Sequence, residues 1–232
     1  MSVPWFEADP DAFDELERVL RSSYPTQHAF IEDRVCIVRG SYPVMDAGTL
    51  VDRYDLEIAL PLDYPASLPR VWETGGRIPR EPDRHVFPQP GCLCLGVPLA
   101  LWMQLKGDFS LPTVLDIPVR NFLIGNSLVE RGEPWPHGDR SHGVDGMLEF
   151  YGDLLGTSDP MAIAKFLLAL VKEKVRGHWS CPCGSGKIIR NCHKEAVEAL
   201  RDVPREVVAQ TGCMILDEIQ REAELARPRR SA

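Results

Sequence analysis

Four metal-binding side chains near the end of the chain constrain its fold more than any other feature. Cys181, Cys183, Cys192 and His193 fall within thirteen consecutive positions. A Cys-x-Cys pair on a turn of proline and glycine directs two sulfurs toward one centre, and a Cys-His pair at the start of a helix completes a tetrahedron. Thiolate and imidazole in this array are the ligands of structural zinc, which keeps no open position for catalysis. Because so short a segment has no core of its own, we expect zinc binding to supply its folding free energy.

The surrounding stretch, residues 179–193, resembles the SEC-C motif, which is best known at the tail of the preprotein translocase ATPase. The resemblance includes the four predicted ligands and the Gly-Ser-Gly-Lys turn at residues 184–187. It implies an appended zinc module that contacts a protein partner, and the alternative is a coincidental group of surface cysteines. The same turn is not a phosphate-binding loop, because no glycine stands five residues before Gly186 and neither serine nor threonine follows Lys187.

The composition is that of an ordinary globular protein, and the charge argues against one class of function. The chain has 232 residues, of which 44% are hydrophobic and 26% are charged, so it can bury a core without disulfide bonds. Its net charge of −8 argues against binding to nucleic acid through bulk positive charge. The sequence also has no stripe of basic and aromatic residues for that purpose.

No segment of the sequence predicts a membrane span or a secretion signal. The first ten residues have neither a basic start nor an apolar run. The most apolar stretch, residues 161–171, is interrupted by Lys165 and falls short of the roughly 20 residues that a spanning helix needs. We therefore expect a soluble, cytoplasmic protein whose seven cysteines are mostly thiols. Two of them, Cys36 and Cys213, lie in apolar patterns and are expected in the core.

The first half of the chain predicts a short helix followed by an antiparallel meander. Apolar residues recur at helical spacing in the first 25 residues, and β-favouring segments follow at 34–39, 53–60 and 69–74. In the second of these segments, every other residue from Tyr54 to Leu60 is apolar. This alternation predicts a sheet with one face toward the core and the other toward solvent.

The second half of the chain predicts helices. A proline-rich segment at residues 78–98 is expected to be irregular but ordered. Helices are then predicted from Ser110, at residues 144–155 and 161–175 with a cap at Ser158 or Asp159, and at 194–200 and 204–225, split at Pro204. The pattern as a whole is that of an α+β protein.

A second constellation of residues leads from the predicted strands to two cysteines in mid-chain. Its members follow one another in the order Tyr64-Pro65, Pro69-x-Val71, His85, Gly91 and Cys94-Leu95. This order and spacing resemble the ubiquitin-conjugating enzymes. In that family a Tyr-Pro turn, a Pro-x-Val strand and a His-Pro-Asn element precede Gly-x-apolar-Cys-Leu, which carries the nucleophile. The resemblance covers residues 10–155, with distinctive motifs only between Tyr54 and Leu95.

The resemblance implies that Cys94 is an acceptor cysteine with His85 in its vicinity. Such a cysteine takes an acyl group from another thioester and passes it to an amine, which requires an exposed sulfur and some thiolate near neutral pH. His85 is followed by Val86 and Phe87 instead of proline and asparagine, a departure common in divergent bacterial relatives. His85, or a donor from the loop after Cys94, could replace that asparagine in stabilising the oxyanion.

These residues also have structural interpretations. Cys94 between two leucines is compatible with a buried strand cysteine, and Cys92 with a packing or redox role. His85 could cap its loop by hydrogen bonds to the backbone. His137 and His142 belong to a loop that could line the site, with His142 as a base, or that could be held by its own hydrogen bonds.

The sequence predicts a ubiquitin-conjugating-enzyme-like (UBC-like) antiparallel β-meander flanked by helices, at residues 1–156, and a small helical zinc-binding module at residues 157–232. The resemblance implies a bacterial transferase. Cys94 accepts a protein C-terminus that an adenylating, ubiquitin-activating-like enzyme has activated, and passes it to an amine on a protein target. In antiphage operons the transferred group is a ubiquitin-like modifier or the C-terminus of a nucleotide cyclase. The alternative is a catalytically inactive adaptor that binds protein partners through its zinc module.

Overall fold

The computed structural model describes residues 3–136, 143–172, 175–201 and 203–225, which form two compact units. The first unit comprises residues up to 96 and those from 105 to 136, and the second comprises residues 97–104 and those from 143 onward. The helix at Gly143–Leu155 therefore belongs to the second unit. The sequence predicts a boundary between two domains at residues 156 and 157. The division into compact units does not test whether each domain folds by itself, so this boundary stays a prediction.

The first unit contains a four-stranded antiparallel sheet. Helices α1 (Trp5–Ala8) and α2 (Pro10–Ser23) precede strands β1 (Gln27–Glu32), β2 (Val35–Asp46), β3 (Thr49–Leu60) and β4 (Arg70–Glu73), which pair in chain order. Pro10 begins α2, where its missing N–H would have had no helical partner. Leu16 and Leu20 are the buried residues of this helix. The predicted α+β class and meander are confirmed.

The alternation predicted for β3 is also confirmed. Each of the apolar residues Tyr54, Leu56, Ile58 and Leu60 exposes 2% or less of its surface. Arg53 before them and Asp55 between the first two face solvent. Ile58 lies between Val38 of β2 and Val71 of β4, and both valines are buried. Because side chains alternate between the two faces of a strand, the face of the sheet around Ile58 is apolar.

One strand was not predicted and another is longer than predicted. No strand was expected at β1, whose residues are mostly exposed and show no regular alternation. The first predicted strand ended at Arg39, whereas β2 continues through Gly40 and Pro43 to Asp46. Both residues usually interrupt strands, but here Gly40 pairs with both β1 and β3, and Pro43, past the end of β1, pairs with β3 alone.

A helix with one widened turn completes the first unit. α4 (Leu111–Val114), with Ser110 at its N-cap as predicted, continues through a π-helical turn at Leu115–Val119 into α5 (Arg120–Glu130). Pro118 lies within this turn. Proline lacks an N–H and crowds the carbonyl one turn back, so a regular α-helix cannot continue there. α5 contacts β2 and β3, and the Tyr42 hydroxyl donates to the carbonyl of Leu115 at 2.9 Å.

The second unit is built from helices. It contains most of α3 (Pro98–Leu105), which was not predicted, and α6 (Gly143–Leu155), α7 (Pro160–Lys172), α8 (Lys194–Ala199) and α9 (Arg205–Leu225). α7 packs against α9, and α6 contacts both. Tyr151, Phe166 and Ile215 are fully buried among them. The predicted cap of α7 is confirmed, since the Asp159 carboxylate accepts the N–H of Met161 at 2.9 Å.

One of the two cysteines predicted in the core lies on the surface. Cys36 is fully buried on β2, as predicted. Cys213 is exposed on α9, so its predicted burial is wrong. The residues that α9 buries around it are Thr211, Gly212 and Ile215. Successive helical residues are separated by about 100°, which turns residue 213 away from this buried face.

Within the described part of the chain, no single helix is long and apolar enough to span a membrane. Only α6 and α7 together meet the length and composition of a span, as a pair bent by 74°. Their fully buried residues include Tyr151 and Phe166, which belong to the core of the second unit.

Candidate functional site

The predicted metal ligands lie on a small looped element of the second unit. The N–H of Cys181 donates to the carbonyl of Lys187 at 2.8 Å, and Ser180 and Ile188 form an isolated antiparallel bridge. Gly184 and Gly186 lie in the turn between them with φ of 79° and 72°. Glycine adopts this left-handed conformation without steric cost. The Gly-Ser-Gly part of the motif therefore has a backbone role, which is to reverse the chain tightly beside Cys181.

The four ligand atoms converge on one centre. The sulfurs of the three cysteines and one nitrogen of His193 lie within 4.8 Å of one another. Cys183 Sγ is 3.6 Å from Cys192 Sγ, and His193 Nδ1 is 3.2 Å from the sulfurs of both Cys181 and Cys192.

These distances fit a tetrahedral ion. Metal–sulfur bonds of about 2.3 Å and metal–nitrogen bonds of about 2.0 Å give tetrahedral edges of about 3.8 Å between two sulfurs and about 3.5 Å between sulfur and nitrogen. The observed edges of 3.6 Å and 3.2 Å are slightly shorter. A sulfur separation of 3.6 Å is also far longer than a disulfide bond, and all three cysteines are free. The cluster could therefore hold a metal ion, and its donors are compatible with zinc.

The orientation of His193 is fixed from outside the motif. Its Nε2 lies 2.7 Å from the carbonyl oxygen of Leu155, at the end of α6. A carbonyl only accepts hydrogen bonds, so Nε2 carries the proton and Nδ1 presents its lone pair to the sulfurs. The centroids of the His193 and Phe166 rings lie 5.4 Å apart, with the two rings in an edge-to-face arrangement. Neither Leu155 nor Phe166 could be identified as a partner from the motif, because they are distant in sequence.

The thiols differ in their ease of ionisation. Burial raises the pKa of the Cys181 thiol to about 12. Cys183 also loses solvation, but hydrogen bonds from the Ser185 hydroxyl and backbone, together with those from Cys181 and Cys192, outweigh that effect and lower its pKa to about 6. The Ser185 hydroxyl lies 3.3 Å from the sulfur of Cys192 as well. Ser185 was not predicted as a site residue, and its only signal in the sequence is its place in the Gly-Ser-Gly turn.

The predicted catalytic residues lie in the first unit, on the irregular segment after β4. A 3-10 turn at Pro82–Arg84 ends at His85. Farther along, the N–H of Leu93 donates to the carbonyl of Val71 in β4 at 2.7 Å. The N–H of Cys94 donates to the carbonyl of His85, also at 2.7 Å. The structure therefore brings Cys94 and His85 together through the main chain.

His85 has an unusual backbone and an aromatic neighbour. Its φ of 52° and ψ of 40° place it in the left-handed region, which few residues other than glycine adopt and which is found preferentially at functional sites. Its ring lies 4.5 Å from the ring of Trp135. Trp135 packs so closely on Gly125 of α5 that a Cβ there would lie 2.8 Å from the indole. Trp135 and α5 thus define one wall beside His85.

The Cys94 side chain is partly exposed. Burial raises the pKa of its thiol, although a hydrogen bond from the Gly96 N–H acts in the opposite direction. Burial also raises the pKa of the partly exposed Cys92, against the effect of the nearby Arg70 charge. Cys94 is consequently a neutral thiol near pH 7 in the isolated chain, and thiolate formation requires a base or a bound partner.

His137 and His142, which belong to a loop that could line this site, lie outside the described residues. The two groups of residues have different chemistry. The cluster in the second unit offers a closed set of four metal donors, whereas the segment in the first unit offers the thiol of a partly exposed cysteine beside a backbone N–H. Comparison of the chain with protein-family models, with curated proteins and with solved structures returns no match.

Proposed function

We propose that Cys181, Cys183, Cys192 and His193 bind one zinc ion with a structural role. Three sulfurs and one nitrogen at tetrahedral spacing support this assignment. The hydrogen bond from His193 to the Leu155 carbonyl supports it further, because such contacts fix the orientation of a ligating imidazole. Four protein donors leave no open position on the ion, so its role is to hold the looped element together and to keep the thiols deprotonated.

We propose that the first unit is a divergent bacterial transferase of the ubiquitin-conjugating type, with Cys94 as the acceptor. One observation carries this proposal: the N–H of the partly exposed Cys94 donates to the carbonyl of His85, whose backbone has the left-handed conformation. Both lie on the irregular segment that follows a meander of four strands, β1 to β4. Antiphage defence is the setting proposed with this function.

Two acyl transfers make up the proposed reaction. An adenylating partner uses ATP to activate a protein C-terminus and holds it as a thioester. The Cys94 thiolate attacks that carbonyl, forms a new thioester and expels the partner's thiolate. An amine on the target then attacks the Cys94 thioester, loses a proton, and forms an amide while the Cys94 thiolate leaves. Both steps pass through an oxyanion, which hydrogen-bond donors stabilise.

The chain's own contribution is to position and polarise the sulfur. The N–H of Gly96 reaches Cys94 and favours its thiolate. The hydrogen bond between the Cys94 N–H and the His85 carbonyl holds the two residues in register. His85 is the residue that we assign to the oxyanion in place of the missing asparagine.

An inactive adaptor is the second candidate, and one observation favours it. Burial raises the pKa of Cys94, so little thiolate is present near neutral pH without a partner. In this case the first unit binds a protein partner without forming a covalent bond, and the zinc module provides a second contact.

A gel experiment distinguishes the two candidates. The chain is incubated with an adenylating partner, its modifier and ATP, and is then analysed without reductant. The transferase predicts an adduct that thiols remove, that Cys94→Ala abolishes and that Cys92→Ala retains. It also predicts that His85→Ala slows transfer to the amine. A stable complex without an adduct supports the adaptor, and an unchanged adduct in Cys94→Ala refutes the assignment of the acceptor.

A further inference from the structure

The second unit contains a cavity of about 500 Å³ that the metal cluster does not use. Its described lining residues belong to α7, α8 and α9 and to positions 175–176, 200–201 and 203 between these helices. Val197, Leu200, Val203 and Val208 form its most buried part, each with 8% or less of its surface exposed. A volume of this size lies within the range of cavities that hold small-molecule ligands.

The lining selects for an aliphatic group. The described residues around the cavity are valines, leucines and arginines, with no aromatic ring among them. A flat ring ligand would therefore find no stacking partner, whereas a flexible hydrocarbon chain would find aliphatic contacts along its length. Each further methylene group that is buried should strengthen binding about fourfold.

Three arginines give the cavity a positive charge. Arg176, Arg201 and Arg205 line it and are exposed, and none of them forms an ion pair within the described residues. Elsewhere in the chain, Arg39 and Arg77 each pair with two carboxylates. No carboxylate is found among the described lining residues. Among the described lining residues, the three positive charges are therefore not balanced by a carboxylate, on a chain whose net charge is −8.

The start of α9 adds to this charge. α9 has 21 residues and begins at Arg205, which itself lines the cavity. The first N–H groups of a helix carry a partial positive charge and favour an anion. An apolar interior, a helix N-terminus and three guanidinium groups that form no ion pair within the described part of the chain therefore coincide at one place.

We propose that this cavity binds an aliphatic chain with an anionic headgroup, of the fatty-acid type. The chain occupies the aliphatic interior, and the headgroup lies between the guanidinium groups of Arg201 and Arg205. Arginine suits this role because its planar guanidinium can bind a carboxylate or phosphate through two parallel hydrogen bonds. The site is independent of Cys94 and of the proposed transfer reaction.

Calorimetric titration of the metal-loaded full chain with decanoate tests the proposal. Decyl phosphate serves as a second probe and distinguishes a carboxylate from a phosphate headgroup. We expect saturable binding of at least one of them with a stoichiometry of about one. Acetate, which lacks the chain, and decyltrimethylammonium, which carries the opposite charge, should not bind. Absence of binding by both anions, or equal binding of the cationic analogue, overturns the proposal.

Charge-removing variants locate the site. Arg201→Gln and Arg205→Gln should each weaken binding about tenfold, as expected for the loss of a charge-assisted hydrogen bond. Arg221→Gln is the matched control, because Arg221 is exposed on the same helix and does not line the cavity. Circular dichroism melting verifies that each variant is folded. Equal weakening in all three variants, or in none of them, contradicts the assignment to this cavity.

Discussion

Replacing one metal ligand should destabilise the second unit by an amount that can be calculated from linkage. Cys183 is only partly buried, and its sulfur and that of Cys192, 3.6 Å apart, form one edge of the tetrahedron. Cys183→Ser removes one thiolate donor and leaves a side chain of similar shape. We therefore expect the main loss to be in metal affinity and not in packing.

The size of this loss follows from the free energy by which the bound metal stabilises the folded state. Structural zinc sites in small domains bind with about 10–16 kcal/mol, and 12 kcal/mol corresponds to a dissociation constant of about 1 nM. At about 1 µM free zinc the folded state gains about 4 kcal/mol. If the serine variant binds a hundredfold more weakly, this gain falls to about 1.4 kcal/mol. The free energy of unfolding should then decrease by about 2.7 kcal/mol.

Denaturant unfolding, followed by far-ultraviolet circular dichroism at fixed free zinc, measures this difference. Elemental analysis of the same samples should give about one zinc per chain for the natural sequence and much less for the variant. Cys213→Ser is the matched control, because Cys213 is an exposed thiol of the same unit outside the cluster. Full zinc content in Cys183→Ser, or equal stability with and without chelator, would refute the assigned ligand set.

Two further predictions concern the first unit. Leu56→Ala should lower the free energy of unfolding by about 2–5 kcal/mol, since Leu56 is 1% exposed. Leu50, on the same strand, is 46% exposed, so Leu50→Ala should change this free energy little. Equal effects of the two substitutions in chemical denaturation would contradict the assigned inner face. Arg77 lowers the pKa of Asp52 from 3.8 to about 2. The ionised carboxylate therefore stabilises the folded state by about 2 kcal/mol at pH values above its unfolded pKa. This stabilisation is lost as the pH falls from about 5 to 2. Asp52→Asn should remove that part of the pH dependence in acid titrations of stability, and an unchanged profile would contradict the ion pair.

The metal cluster could be predicted almost completely from the sequence, because its ligands are close together along the chain. The spacing of Cys181, Cys183 and the Cys192-His193 pair determines which donors can meet, and the glycine turn indicates how they meet. The carbonyl that orients His193 could not be predicted. It belongs to Leu155, which is 38 residues away and is brought close only by packing of the second unit.

The extent of the strands was harder to predict than their existence. The predicted strand at residues 34–39 stopped short of Gly40 and Pro43, two residue types that usually interrupt strands but that lie within β2. In the structure Gly40 is required within the strand, since a Cβ at this position would lie 1.8 Å from the carbonyl oxygen of Thr26. That close approach depends on the pairing of β1 with β2. A residue that breaks a strand by local propensity can therefore be the residue that allows two strands to meet.

The site around Cys94 could be predicted only in part. Motif order placed Cys94 and His85 on one segment, and the structure joins them by a 2.7 Å main-chain hydrogen bond. The effect of burial on the Cys94 pKa could not be predicted, because it depends on the packing around the sulfur. The contact of Trp135 with His85 also depends on tertiary structure, through the space that Gly125 leaves on α5.

The central claim, that Cys94 carries an acyl group, is tested most directly by intact-mass spectrometry after incubation with an adenylating partner, its modifier and ATP. The account predicts a mass gain equal to the modifier minus one water, located on Cys94 and removed by added thiol. In Cys94→Ser the same gain should resist thiol, because an oxygen ester replaces the thioester. An unmodified natural chain, or a mass gain that persists in Cys94→Ala, contradicts the claim.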